Sequence, residues 1–281
     1  MRLLEIWRYP VKSLRGEPLE RARVERQGLE ADRRFMLVTP QGQFITAREN
    51  PRLLTISALA TEAGISLSHA ERPTVHCEFP DQNSARAWVS VWSDDVPARL
   101  APDRVNRWLS ALVGGDVRLA YLADTQARPV SSSYAKADDV VSFADGFPLL
   151  LTNAGSLADL NQRIAERRMS ADEPLSMRRF RPNVVIDGAS AWDEDTWRLI
   201  RIGSVTFRVV KPCERCILTT RDPETGERAP DNEPIRTLGA FHRAATGAIL
   251  FGQNLIPIHA GQIGVGDTVE VIERGPSPTC A

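Results

Sequence analysis

The chain of 281 residues has no long apolar run, no excess of either charge and few cysteines, and each absence narrows what it can be. No stretch approaches the roughly 20 apolar residues that a membrane-spanning helix needs. The opening Met-Arg-Leu-Leu-Glu-Ile-Trp-Arg-Tyr-Pro has neither an uninterrupted apolar centre nor a small-residue cleavage site, so it does not read as a signal peptide. No membrane association and a cytoplasmic location are the expectations. The 35 basic and 36 acidic residues nearly cancel, which leaves no global field to draw in nucleic acid. A local basic pocket stays open, because net charge is silent on clustering. Four cysteines (Cys77, Cys213, Cys216 and Cys280) do not make a disulfide framework in a chain this long.

What is present is a globular composition, 42% hydrophobic and 25% charged, in a length that suits two ordinary domains or one large one. Short strands with turn signals between them fill the first hundred residues: Leu3–Pro10, Arg34–Pro40, Gln43–Ala47, Leu53–Leu59, Ile65–Ser68 and Trp88–Trp92. Such regular spacing favours a sandwich or barrel over βαβ units. Val105, Trp108, Leu109 and Leu112 then recur at helical spacing, with Asp103 as a candidate N-cap and Gly114-Gly115 as the stop. The polar stretch Asp124–Asp139 reads as a domain connection or an active-site loop.

The second half opens on a buried strand, Phe147–Thr152, followed by a helix capped by Asn153 or Ser156. Strands follow at Val184–Ile186, at Leu199–Ile202 and Val205–Val210 around the hairpin turn Gly203-Ser204, and at Val265–Ile272. The expected fold is mainly β with some helices (α+β), in two barrel-like domains at 1–122 and 123–275 with a flexible tail at 276–281. Trp7, Trp88, Trp92 and Trp108 read as core.

The densest chemistry is Lys211-Pro212-Cys213-Glu214-Arg215-Cys216. A Cys-x-x-Cys dithiol of the thioredoxin kind wants its first thiol at a helix start, whereas the following Ile217–Thr220 is β-branched and reads as a strand. Half a zinc site would need two more soft ligands, and His69, His76, His242 and His259 are scattered. Two readings survive. One is a thiolate ligand to a metal carried by an organic cofactor, with Lys211 and Arg215 supplying positive charge. The other is a pair of small buried fillers.

Whole motifs say more than spacing. Val210–Thr220 followed by Asp222-Pro223-Glu224-Thr225-Gly226 resembles the molybdenum site of MOSC-domain proteins, closest to the mitochondrial amidoxime reducing component and its bacterial relatives. The resemblance takes in Tyr9-Pro10-Val11-Lys12-Ser13, Arg34-Phe35, Thr46-Ala47-Arg48, Ser156–Asn161, Phe180-Arg181-Pro182-Asn183, Phe251-Gly252-Gln253 and Val265-Gly266-Asp267, in family order. It implies an N-terminal MOSC β-barrel domain followed by a MOSC β-barrel domain, with the molybdenum–molybdopterin cofactor between them. A pyridoxal phosphate-binding label also attaches to the family as a whole.

The resemblance further implies reduction of N-hydroxylated compounds: hydroxylamines, amidoximes and N-hydroxylated bases. By family pattern Cys216 ligates molybdenum and is the catalytic residue, and Cys213 lies near the metal. Lys12, Ser13 and Arg34 match positions at the cofactor phosphate, where arginine gives a planar fork and lysine a point charge. Thr152 and Ser156 would add hydroxyl or backbone contacts, and Arg181 and Asn183 match the pterin side. Taken singly, Lys12-Ser13 would read as solvated loop, Arg34 as a surface ion-pair partner, Asn183 as a turn residue, and Arg48 as a partner of Glu49 or Asp32.

Membrane-bound members of the family carry an N-terminal anchor, and some bacterial ones append a ferredoxin domain. Neither is read in this sequence, so electrons are expected from a separate partner protein: a flavin reductase, or a haem or iron–sulfur protein. The competing reading is a carrier of molybdenum cofactor or persulfide sulfur without reductase turnover. A dithiol oxidoreductase using Cys213 and Cys216 is a third.

Overall fold

The computed structural model describes residues 1–169 and 173–277; the expected tail lies partly, and Cys280 wholly, outside the described residues. Alternating apolar sequence becomes strand almost throughout, as the sequence predicts. The largest sheet has eight strands, in the order Val269–Arg274, Trp197–Ile202, Val205–Glu214, Leu250–Pro257, Leu149–Asn153, Val184–Asp187, Arg2–Arg8 and Glu17–Leu19. Its centre holds Leu149–Asn153, whose five residues are all buried, as a strand covered on both faces must be. A second sheet of four strands runs Phe35–Val38, Arg118–Tyr121, Asp94–Leu100 and Arg86–Val91. Two three-stranded sheets complete the fold: Ser57–Thr61 with Gly64–His69 and Arg72–Glu78, and Gly261–Gly264 with Arg21–Glu25 and Gly28–Leu29.

The halves interlock. Arg2–Arg8 pairs antiparallel with Val184–Asp187, and Arg21–Glu25 pairs with Gly261–Gly264, so the first thirty residues close sheets formed by the second half of the chain. Between the two larger sheets lies the loop after the first strand, which carries Lys12 and Ser13.

Several local expectations are corrected. Leu53–Leu59 is split: Pro51–Thr55 is a 3-10 turn started by its proline, and the strand begins at Ser57. Gln43–Ala47 makes only isolated bridges, Gln43 to Ser90 and Phe44 to Val38. Ile217–Thr220 is a 3-10 turn despite its β-branched residues, with the Thr219 and Thr220 hydroxyls bonded back to the Cys216 and Ile217 carbonyls. The N-cap of helix Asp103–Val113 is Pro102, and Asp103 sits in its first turn; Gly114 ends it at φ 79°. Helix Ala154–Arg168 is capped by the Asn153 side chain, which accepts from Gly155 N at 2.9 Å, and not by Ser156. The last strand is Val269–Arg274, and Gly261–Gly264 is a strand of its own.

Trp88 and Trp92 are not core: they are 68% and 45% exposed, while Trp7 and Trp108 are half-buried.

Candidate functional site

The cysteine pair reaches its place through an irregular strand. Val205–Glu214 runs against Leu250–Pro257, with register shifts between Val209 and Lys211 and again between Pro212 and Glu214. Pro212 has no N–H for the ladder, so a bulge is the natural arrangement there, and bulges bend strand ends and re-aim side chains. Cys213 and Cys216 are thereby turned into a cleft between the two halves.

The cleft encloses about 890 Å³, part of it open solvent. Lys12, Arg33, Arg48, Arg181 and Arg215 line it, against only Asp145 and Glu214. Lys12 is buried; its ammonium donates to Asp145 Oδ1 at 2.5 Å and to the Phe143 carbonyl at 2.8 Å. Burial pulls the Lys12 pKa down, and Asp145 pulls it part of the way back. Burial acts to raise the Asp145 carboxyl, yet Lys12, Arg48 and Arg33 outweigh it and hold the group well below the usual carboxylate range. Asp145 is walled by protein and still presents 62% of its side chain to the open cleft.

Arg33 and Arg181 both lie over the Tyr9 ring, each 4.3 Å from its centroid. Arg33 donates to Asp32 Oδ2 at 2.7 Å, to Asn183 Oδ1 at 3.0 Å and to the Arg181 carbonyl at 3.2 Å. Arg181 donates to the Leu14 carbonyl at 2.8 Å, and burial brings its pKa down to about 10. Burial likewise pushes up the Tyr9 phenol, against the pull of Arg181 and Arg33, and its buried hydroxyl has no partner among the described residues.

At the cysteine end, Arg48 Nε donates to Cys216 Sγ at 3.2 Å and its Nη2 to Asp145 Oδ2 at 3.2 Å. The Arg48 guanidinium also lies 4.6 Å from the Trp92 ring centroid. Arg215 Nη1 donates to Cys213 Sγ at 2.8 Å; burial raises that thiol and Arg215 opposes it. Lys211 turns instead to Glu214, at 2.8 Å.

The backbone is strained where it meets the cleft. Of eight non-glycine residues with φ in the left-handed region among the described residues, four line it: Ser13 at 72°, Arg33 at 48°, Trp92 at 56° and Arg181 at 54°. Such conformations persist where the surroundings over-determine them, and they concentrate at functional sites.

The structure thus gathers Lys12, Ser13, Arg181, Asn183, Cys213 and Cys216 into one cleft. It does not bring Arg34, Thr152 or Ser156 there. Arg34 donates to the Leu122 carbonyl and packs on Tyr121; its neighbour Arg33 faces the cleft. Thr152 is fully buried in the central strand. Ser156 donates to Glu194 Oε1 at 2.6 Å beneath helix Ala154–Arg168. Asn183 lines the cleft, but its amide is engaged with Leu150 N, Arg33 and the Trp7 carbonyl, joining strands more than offering an edge.

Arg48 is bound to neither Glu49 nor Asp32. Arg33, Asp145 and Trp92 were not singled out by sequence for this cleft; only the Asp32-Arg33 doublet, an acid beside its own partner, could have signalled the first. The polar stretch 124–139 contributes indirectly: buried Arg128 donates to the carbonyls of Ser142, Ala144 and Asp145, fixing the loop that carries Asp145.

An interlocked pair of β-barrel-like halves with a cysteine-bearing cationic cleft between them is a MOSC architecture. Residues 1–116 match the MOSC N-terminal beta barrel domain and residues 138–270 the MOSC domain. The chain belongs to this two-domain MOSC family. It is 31% identical over 284 residues to the mitochondrial amidoxime-reducing component 1 of Xenopus laevis, covering 95% of this chain and 80% of that protein. The protein of that name from Danio rerio is 33% identical over 93% of this chain and 82% of its own length. The Homo sapiens protein is 30% identical over 95% of this chain and 82% of its own.

The residues of the cleft fit the molybdenum–molybdopterin cofactor that the fold family implies. An anionic phosphate suits five cations facing two carboxylates. Among the described residues no three His, Cys, Asp or Glu side chains converge to hold a bare ion.

Proposed function

We propose that this protein reduces N-hydroxylated compounds (hydroxylamines, amidoximes and N-hydroxylated bases) at a molybdenum–molybdopterin cofactor held in the cleft, with electrons from a separate donor protein, and that it does so in the cytoplasm. The observation that carries the reading is the Cys216 thiol, half-exposed in a cation-rich cleft with Arg48 Nε 3.2 Å from its sulfur. The names of the relatives support the substrate class. Among the described residues no helix is long and apolar enough to cross a membrane.

When bound, the cofactor would supply two-electron redox chemistry at the substrate nitrogen. Lys12, Arg33 and Arg181 would hold its anionic parts, with the Ser13 hydroxyl and backbone beside them. Cys216 would hold the metal, and Arg48 keeps that sulfur oriented. The overall reaction takes an N–OH compound, two electrons and two protons to the N–H compound and water. Asp145, held ionised, is a hydrogen-bond acceptor for Lys12 and Arg48 and not an acid.

Protein made in a cofactor-competent host should carry about one molybdenum per chain and, with a chemical reductant, convert benzamidoxime to benzamidine. Cys216→Ala should abolish turnover. Zinc or no metal in such protein, or full activity in Cys216→Ala, overturns the proposal.

A further inference from the structure

The strands Arg86–Val91 and Asp94–Leu100 are joined by a two-residue hairpin turn, Trp92-Ser93, closed by the pair Val91 and Asp94. Trp92 stands there at φ 56°, a backbone state that such turns ordinarily give to Asn, Asp or Gly. A bulky aromatic residue is a poor choice for that position on local grounds. Where a residue breaks a local rule, the compensation is sought in what its side chain does.

The ring lines the cleft. Phe44 meets it edge-on at 5.0 Å and Arg48 lies over it at 4.6 Å, while 45% of the residue remains exposed. Arg48 is the same residue that touches Cys216. The Trp92 ring is therefore held by two contacts, one arginine away from the sulfur, in a residue that lines the cleft and stays partly exposed. Trp88, four residues earlier, is more exposed still, but it does not line the cleft, and among the described residues no ring contact holds it.

We propose that Trp92 is a specificity-determining residue, a rigid aromatic wall on which planar, delocalised N-hydroxylated substrates, such as aromatic amidoximes, stack as they enter. Small aliphatic or inorganic hydroxylamines have no face to offer it. This rests on the function proposed above and names a substrate class within it.

The test compares benzamidoxime with hydroxylamine itself in the holoprotein and its variants. Trp92→Asn removes the ring while placing in the turn a residue that accepts the left-handed backbone. The ratio of kcat/KM for benzamidoxime over hydroxylamine should fall about tenfold, the scale of one aromatic contact. Trp92→Phe should recover most of it. Calorimetry should show benzamidoxime binding to oxidised holoprotein weakened by a similar factor in Trp92→Asn.

Trp88→Ala should leave the ratio where it is. Using a ratio cancels any general effect of releasing Arg48 from its stack. A parent protein that turns over both compounds with a ratio indifferent to Trp92 overturns the specificity role and leaves the reductase reading standing. A lowered Tm in Trp92→Asn with an unmoved ratio does the same and assigns the ring to structure. A parent that turns over neither compound defeats the reductase reading, and this inference with it.

Discussion

Two clusters of charged and polar side chains lie within this fold, and they are built on opposite terms. The cleft leaves charge over even with Arg33 paired to buried Asp32: five cations line it against two carboxylates, and Asp145 remains largely open. The second cluster lies beneath helix Ala154–Arg168 and is closed. Glu194 accepts from Ser156 Oγ at 2.6 Å and from Asn153 Nδ2 at 2.8 Å. Asp195 meets His242 Nε2 at 2.8 Å and Gln253 Nε2 at 2.8 Å, and His242 Nδ1 sits 2.9 Å from the Leu250 carbonyl. Every group there is buried and has its partner. A network that consumes all its hydrogen-bonding capacity serves the fold; one that leaves charge unspent is arranged for something that is not protein. Ser156, expected at the cofactor, belongs to the first kind.

The difference is broken most forcefully by removing one member of the closed network. His242→Leu would leave the Asp195 carboxylate buried with Gln253 as its one partner among the described residues, at a cost of about 3–5 kcal/mol. Urea unfolding checks this, and a loss below about 1 kcal/mol would show that the network is not closed in the sense argued.

Its pH response comes next. Burial pushes the Glu194 carboxyl up to about 7. Burial also pulls His242 down, but hydrogen bonds to Asp195 and the Leu250 carbonyl outweigh it and leave the imidazole raised. Both groups hold protons in the folded protein that the unfolded chain has released. Stability is therefore greatest at low pH for both, and is lost as pH rises from the ordinary carboxylate range through 7 and beyond the usual histidine range. Between pH 5 and 8 the decline should be on the order of 3 kcal/mol, less in Glu194→Gln. Unfolding measured across that window tests the sign, and a rise with pH contradicts it.

Much of this architecture was legible and some of it could not be. Period-two strands, the Gly203-Ser204 hairpin and the helix from Asp103 declare themselves through local pattern. Lys12, Ser13, Arg181, Asn183, Cys213 and Cys216, which line one cleft, stood out because whole motifs outweigh single residues. Arg34 was expected at the phosphate, yet it is its neighbour Arg33 that lines the cleft, for a specific reason. The two are adjacent, and which one faces inward depends on the left-handed backbone at Arg33, which breaks the alternation of an extended chain. Trp92 failed likewise, since hydrophobicity alone assigns a tryptophan to the core. The pairing of Arg2–Arg8 with Val184–Asp187 is set across more than 170 residues, beyond the reach of any local signal.

The arginine doublet offers a sharper comparison inside the cleft. Arg33→Ala strands Asp32, which is fully buried and would keep only the Tyr9 N–H as donor among the described residues, so a cost of about 2–3 kcal/mol is expected. Molybdenum retained per chain should fall with it. Arg34→Ala takes the side-chain donor from the carbonyl of buried Leu122, so it should cost about 1–2 kcal/mol of its own, but with metal content intact. Equal losses of metal in the two variants would deny the assignment of Arg33 to the cleft.

The smallest expected effect on stability is at Arg48, and it separates the two clusters most cleanly. Its guanidinium sits among Lys12, Arg33 and Arg181, and its one carboxylate partner, Asp145, keeps Lys12 as a closer one at 2.5 Å. Arg48→Leu keeps an apolar contact for Trp92 and removes one charge from a crowded set. Stability should therefore move by less than about 1 kcal/mol in either direction. Activity should not be spared, because the Cys216 sulfur loses its only hydrogen-bond donor among the described residues. A large stability loss, like that expected for His242→Leu, would mean that Arg48 is paired as tightly as the closed network and that the cleft holds no surplus charge at its cysteine end.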